Sequence, residues 1–141
     1  MNTATTVQQG DWRELGDAAS LIRRVVFIDE QQVPQEEEWD GRDGECLHFL
    51  ATLNDEPVGT ARLLPDGHIG RVAVLSSARG AGIGYRLMEA AIAAAREAGH
   101  RHAALSAQLH ALAFYERLGF VAHGEVFMDA GIPHREMTLV L

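Results

Sequence analysis

The stretch "RVAVLSSARGAGIGYRLMEAAIAAA", residues 71–95, decides the fold. It opens on an apolar run, passes through a glycine-rich turn carrying one arginine, and closes in an Ala-rich segment of helical spacing. Leu87, Ala91, Ile92 and Ala95 share one face of that helix, and Gly99 is a natural C-cap. The first amides of a helix have no intrahelical partner, and the helix dipole puts partial positive charge there. Such an end binds anions, phosphate above all. Gly80, Gly82 and Gly84 let the backbone come close to the anion, and Arg79 can add a bidentate charge. Residues 79–84, with Ala81 and Ile83 between the glycines, therefore read as a pyrophosphate cradle. A Walker A loop would need Lys and then Ser or Thr after the last glycine, where this chain has Tyr85 and Arg86. The third glycine of a Rossmann turn would fall at Leu87. The competing reading is a turn that only packs a helix on a strand.

Working outward, "CLHFLATL", "VGTARLL" and "HIGRVAVL" read as three strands joined by the turns "NDEP" and "PDG", hence antiparallel neighbours. "TATTVQQ" is a weak strand. "DAASLIRRVVFIDEQQ" reads as a helix with Asp17 as N-cap, an apolar face of Ala18, Leu21, Ile22, Val25 and Val26, and Pro34 as its stop. An acidic loop, "PQEEEWDGRDGE", follows. Past the Ala-rich helix come a strand, "HAALSA", and a shorter helix, "LHALAFYERLG", with Leu109, Leu112 and Ala113 on one face. Two terminal strands, "FVAHGEVFMD" and "HREMTLVL", are joined by the turn "AGIPH". No repeat or linker interrupts residues 1–141, which read as one domain. The fold class is α/β (α+β), with a largely antiparallel central sheet flanked by helices.

The formal net charge of −8 argues against a nucleic-acid partner. No run approaches the roughly 18 apolar residues of a membrane span, and the N-terminal residues lack the pattern of a signal peptide. The single cysteine, Cys46, fits a reducing compartment, so the expected location is cytoplasmic.

"RGAGIG" after "VAV" resembles the R/Q-x-x-G-x-G/A signature of the GNAT superfamily of acetyl-CoA-dependent N-acetyltransferases. "SAQLHALAFYERLGF" resembles that family's second motif, N-x-x-A-x-x-x-Y-x-x-x-GF, with Ala111, Tyr115, Gly119 and Phe120 in register and Gln108 where Asn is frequent. The resemblance covers nearly the whole chain. It implies that acetyl-CoA is the co-substrate, that the turn holds its pyrophosphate, and that the backbone of Val72, Ala73 and Val74 pairs with the pantetheine. Gln108 and Tyr115 are implied as further cofactor contacts. "VVFIDEQQVPQEEEWDGRD", "LHFLA" and "GIPHREM" are similar to a subgroup of small bacterial members described as ElaA-like or YjcF-like, whose acceptors are generally unassigned.

Acetyl transfer by direct attack of an amine needs an exposed thioester, a neutral amine and a stabilised leaving thiolate. Positioning supplies part of the rate, and a backbone N–H of the 72–74 segment can take the charge that develops on the carbonyl oxygen. The resemblance makes Tyr115 the general acid; a phenol, with a pKa of about 10, can protonate a thiolate. His134 is the first candidate base and Glu30 the second, with water as the alternative. The resemblance also places the segment after the first helix beside the acceptor site. Glu30, Trp39, Asp40 and His48 are then candidate acceptor contacts, and the carboxylates Glu36, Glu37, Glu38, Asp40, Asp43 and Glu45 suit a cationic amine, with Trp39 as a cation–π platform. A solvated acidic loop is the bland alternative. With no H-E-x-x-H and one cysteine, no metal is expected, and Cys46 has no activating base in its sequence neighbourhood. The expected partner is a small-molecule or peptidic amine, without nucleic acid or membrane; homodimerisation is left open. The rival functions are a non-catalytic acyl-CoA-binding or sensing module and a domain for another nucleotide.

Overall fold

In the computed structural model, residues 5–141 are described. The elements are β1 (Thr5–Gly10), α1 (Trp12–Arg23), which runs on as a π-helical segment (Arg24–Glu30), α2 (Gln35–Glu38), β2 (Leu47–Leu53), β3 (Glu56–Leu63) and β4 (Ile69–Val74). Then come α3 (Ile83–Glu97), β5 (His102–Gln108), α4 (Leu112–Glu116), β6 (Val121–Asp129) and β7 (Ile132–Val140). Residues 3 and 4 of the expected first strand lie outside the described residues; the rest of it is β1.

The central sheet is antiparallel as expected, but it is split in two. One half has the order β1-β2-β3-β4 and the other β5-β7-β6. Strand β2 is buried on both faces: Phe49 and Ala51 meet the core under α3, and Leu50 meets Leu15, Ile22 and Val26 of the first helix. Helices thus cover both sides of the four-stranded half.

The first helix starts earlier than Asp17 suggests. Asp11 is the N-cap: its carboxylate accepts from the Glu14 amide at 2.9 Å, and Glu14 accepts from the Asp11 amide at 3.4 Å. This capping box, legible as "DWRE", outcompetes the later cap. The buried stripe is Leu15, Ala19, Ile22 and Val26, so Leu21, expected on the core face, is 65% exposed. The helix after β5 is also shorter than expected. A 3-10 turn, Leu109–Ala111, precedes the single-turn α4, and the core side is Leu112, Phe114, Tyr115 and Leu118, with Ala113 exposed. At the C-terminal end only Ala130 and Gly131 form the turn, at φ of 51° and 75°. A two-residue turn of this hand matches strand twist. Ile132 and Pro133 therefore belong to β7 along with His134, correcting the longer turn expected there.

The acidic loop is not a solvated loop throughout. Arg23 Nε meets Glu38 at 2.6 Å and its Nη1 meets Asp43 at 2.7 Å. Arg62 meets Asp40 at 2.5 Å and Asp43 at 3.0 Å. The Arg23 and Glu38 side chains are each 2% exposed and Arg62 is 5% exposed. This network ties α1, the acidic segment and β3 together. The Arg62 hydrogen bonds hold the Asp40 carboxyl well below the usual carboxylate range. Burial works the other way at Asp43, but its contacts with Arg23 and Arg62 prevail and its pKa is also lowered.

Asp43 is the shared node, so Asp43→Asn leaves two buried guanidiniums short of countercharge and is expected to cost about 3–5 kcal/mol at pH 7. Glu45→Gln breaks only the exposed pair with Arg42 and is expected to cost less than about 1 kcal/mol. Because the folded pKa of Asp43 lies below the unfolded value of about 3.9, its contribution is present above that pH and is lost as pH falls through the folded value. Urea unfolding of the three proteins at pH 7 and in acid checks both; equal losses for the two variants would contradict the network's importance.

Candidate active site

Strands β4 and β5 run parallel and touch at one place, where His68 bridges to Ala104 and the Ala104 amide donates to the Gly67 carbonyl at 3.2 Å. Beyond that bridge they part. β4 keeps β3 as its ladder partner and β5 keeps β7, so the facing edges are open. Between them lies a cleft of about 720 Å³ whose lining includes Val72, Gln108, Tyr115 and His134. A second hollow of about 410 Å³ lies over the glycine turn, lined by Val74, Arg79, Gly80, Gly82, Gly84 and Arg117 among others.

The turn has the shape that an anion cradle needs. Gly80 and Gly82 take φ of +85° and +76°, and a Cβ built on either meets nothing within 4 Å. Gly82 caps α3, which begins at Ile83. At Gly84 a Cβ would sit 3.5 Å from Phe114 and 3.8 Å from Val74, ordinary contacts inside the hollow. Ile83 is buried in the core, and Ala73 faces the first helix, so these two offer backbone to a ligand and not side chain.

Arg79 is more occupied than its sequence suggests. Its Nε donates to the Val74 carbonyl at 2.9 Å, and its Nη2 contacts both Glu30 oxygens at 3.0 and 2.9 Å. Next to Glu30, Gln31 accepts from Gln108 Nε2 at 3.0 Å. The end of the π-helical segment thus spans the mouth between the glycine turn and β5. Glu30, the second candidate base, is held by Arg79 and does not line the cleft that contains Tyr115 and His134.

His134 sits in β7 opposite Gln108 and is 8% exposed. Its Nδ1 lies 2.6 Å from the Ile132 carbonyl. A carbonyl can only accept, so Nδ1 carries the proton and the neutral ring keeps its lone pair on Nε2. The ring stacks on Phe127 at 5.9 Å. Tyr115 is half-buried, with Phe114 at 5.0 Å and Phe120 at 6.2 Å in edge-on contact. Its hydroxyl has no hydrogen-bond partner among the described residues. Burial pushes its pKa up to about 12.

The candidate acceptor contacts do not assemble as expected. Asp40 lines the cleft but its carboxylate is taken by Arg62. Trp39 is 51% exposed and lines neither hollow. His48 is buried on the α1 side, with Nε2 2.9 Å from the Asp43 carbonyl and its ring 4.8 Å from Trp12. Of the six carboxylates in the acidic segment, Glu38, Asp40, Asp43 and Glu45 are paired with arginines, so little of that charge is left for a cationic acceptor. Sequence reasoning passed over Arg62, Arg71 and Arg117. The arginines of β3 and β4 interrupt otherwise apolar strands, which was their available signal.

Two parted parallel strands beside a glycine-rich helix start, with a tyrosine and a histidine on the cleft wall, define an acyl-CoA-dependent acyltransferase. The chain belongs to the GNAT acetyltransferases: the family model "Acetyltransferase (GNAT) domain" matches residues 13–141. Among its relatives is the uncharacterized N-acetyltransferase YjcF of Bacillus subtilis, 40% identical over 123 residues, covering 84% of this chain and 88% of that one. Among solved structures, an acyl-CoA N-acyltransferase from Pseudomonas aeruginosa is 36% identical with a TM-score of 0.82, covering 99% and 100% of the two chains. Escherichia coli ElaA is 32% identical with a TM-score of 0.85, covering 96% and 99%. The likeness to the ElaA/YjcF subgroup stands, and acetyl-CoA is the co-substrate of this acetyltransferase family. Among the described residues no helix is long and apolar enough to cross a membrane.

The space above Gly80 and Gly82 is open, and a branched side chain at Gly84 would project into the hollow expected to take the pyrophosphate. Gly84→Val is expected to fold, as judged by circular dichroism, yet to lose the rise in Tm that acetyl-CoA gives the wild type. Equal shifts in the two proteins would remove the cradle from the cofactor site.

Proposed function

We propose that the protein is an N-acetyltransferase that moves the acetyl group of acetyl-CoA to a primary amine by direct attack, within one domain spanning the chain. The observation that carries this reading is the convergence of Val72, Gln108, Tyr115 and His134 on one cleft that adjoins the glycine turn. Acetyl-CoA supplies an acetyl group already activated by its thiol leaving group; the chain positions it and handles charge and protons. The amides of residues 80–84 would hold the pyrophosphate. The open edge of β4 at Val72, Ala73 and Val74 would hold the pantetheine arm, with Gln108 reaching it from β5. The same edge offers N–H groups to the thioester oxygen as charge develops there.

His134 is the base of this reading. Its Nδ1–H is given to Ile132, so Nε2 can take the proton that the amine loses. Tyr115 serves the leaving sulfur. A phenol pushed up to about 12 holds its proton against a thiolate whose own acid is near about 8.5. The hydroxyl therefore stays protonated and can donate to the sulfur as the C–S bond breaks, in keeping with the general-acid role that the resemblance implies. A non-catalytic acyl-CoA sensor would have no use for this pair in the cleft.

Tyr115→Phe keeps the ring and removes the donor, so the expected result is a fall in kcat of about 10²–10³, the range for losing one preorganised donor, with little change in acetyl-CoA affinity. His134→Gln is expected to lower kcat by about 10²–10⁴. Free-thiol release with a panel of amines measures both. Variants within about threefold of wild type, where chemistry limits the rate, would return both residues to packing.

A further inference from the structure

Three guanidiniums, those of Arg23, Arg62 and Arg71, converge on the carboxylates of Glu38, Asp40 and Asp43. They are not equally served. Arg23 and Arg62 take every carboxylate contact of 3.0 Å or less. Arg71 is left with Glu38 at 3.3 Å and Asp40 at 3.5 Å. Its hydrogen bonds all leave from Nη2, two of them to the backbone carbonyls of Glu37 and Glu38, and its buried Nε has no hydrogen-bond partner among the described residues. Burial lowers its pKa, and the neighbouring Arg62 charge lowers it further. Arg71 is therefore the cation of the network with the least compensation.

It lines the cleft, as Arg62 does, and it stands where the backbone departs from a regular strand. The β3–β4 ladder runs Thr60 to Ala73 and then Arg62 to Gly70, so Ala61 faces both Arg71 and Val72. This is a bulge, a device that re-aims a side chain. Arg71 takes φ of +51° within it, a conformation that non-glycine residues adopt at a cost and that clusters at functional sites. The alternation of β4 breaks there: Ile69 lies in the core under α3, and Ala73 lies under the first helix. Arg71 lines the cleft and immediately precedes Val72, on the edge proposed to hold the thioester.

We propose that Arg71 is the anion anchor of the acceptor cleft, and that the acceptor is an amine carrying a carboxylate close to its amino group. This rests on the N-acetyltransferase reading and names the acceptor class of that same cleft. It also reverses the charge that the acidic segment suggested, because Glu38, Asp40, Asp43 and Glu45 are engaged by Arg23, Arg62 and Arg42, leaving Glu36 and Glu37, while Arg71 has only the longer carboxylate contacts. A carboxylate entering the cleft would complete the guanidinium's coordination and set the amine beside the open edge of β4, within the cleft that His134 lines.

The test compares matched molecules with and without the carboxylate. In the presence of CoA, calorimetry follows the binding of N-acetylglycine and of N-acetylglycinamide. The wild type is expected to bind the carboxylate member about tenfold or more tightly, the lower end of a hydrogen bond to a charged group. Arg71→Gln is expected to erase the difference while leaving CoA affinity and the circular dichroism spectrum unchanged, and Arg71→Lys to restore part of it. A structural role alone would change binding of both molecules together. Equal binding of the two by wild type, or no binding of either, overturns the proposal. Thiol release with glycine and glycinamide runs alongside: turnover of glycinamide as fast as glycine also overturns it. Failure to release thiol with any amine counts against the N-acetyltransferase reading instead.

Discussion

Everything functional in this molecule depends on strands β4 and β5 meeting once and then parting. A continuous seven-stranded sheet would satisfy more backbone groups, since an open strand edge leaves donors and acceptors without partners. The single bridge among the described residues, at His68 and Ala104, pins the two halves, and the separation beyond it leaves backbone edges open to the cleft. Val74, the last residue of β4, lines the hollow over the glycine turn at the start of α3. The π-helical segment spans the mouth between the glycine turn and β5 through the Glu30–Arg79 and Gln31–Gln108 contacts.

The second constraint is electrostatic. Burying Arg23, Glu38 and Arg62 is costly unless every charge finds a partner. The acidic segment supplies those partners, and so its conformation is dictated by arginines on α1, β3 and β4. Glu38, Asp40, Arg62 and Arg71 of this network line the cleft between β4 and β5. The position of Arg71 in turn depends on how Glu38 and Asp40 divide their oxygens among three cations.

Much of the fold was legible because local signals agreed. The three strands before the glycine turn, the turn itself and α3 all stand as read. The turn and helix start were legible because their requirement is local: Gly80 and Gly82 take positive φ with room above the backbone. The misreadings have equally local causes. Asp17 was preferred over Asp11 because the "DWRE" box was passed over, and the apolar face was then drawn through the exposed Leu21. The "AGIPH" turn was drawn too long because Pro133 was taken as a turn residue; it lies at the end of β7 past the β5 ladder, which begins at His134. The acceptor side was the least legible. Whether a run of carboxylates faces solvent or arginines is decided by contacts more than 15 positions apart, such as Arg62 with Asp40, and spacing carries no trace of them. His48 and Glu30 failed to join the site for the same reason: their partners, Trp12 and Arg79, are distant in sequence.

The most direct test of the cleft is an amide-resolved titration. Adding CoA to the ¹⁵N-labelled protein and following each backbone resonance reports where the ligand lies without any assay of chemistry. The account predicts that the amides of Gly80, Gly82 and Gly84 shift most, together with those of Val72, Ala73 and Val74 on the open edge of β4. Unmoved resonances at the glycine turn, with the largest changes on the exposed strand β6 or the outer face of α1, would contradict it.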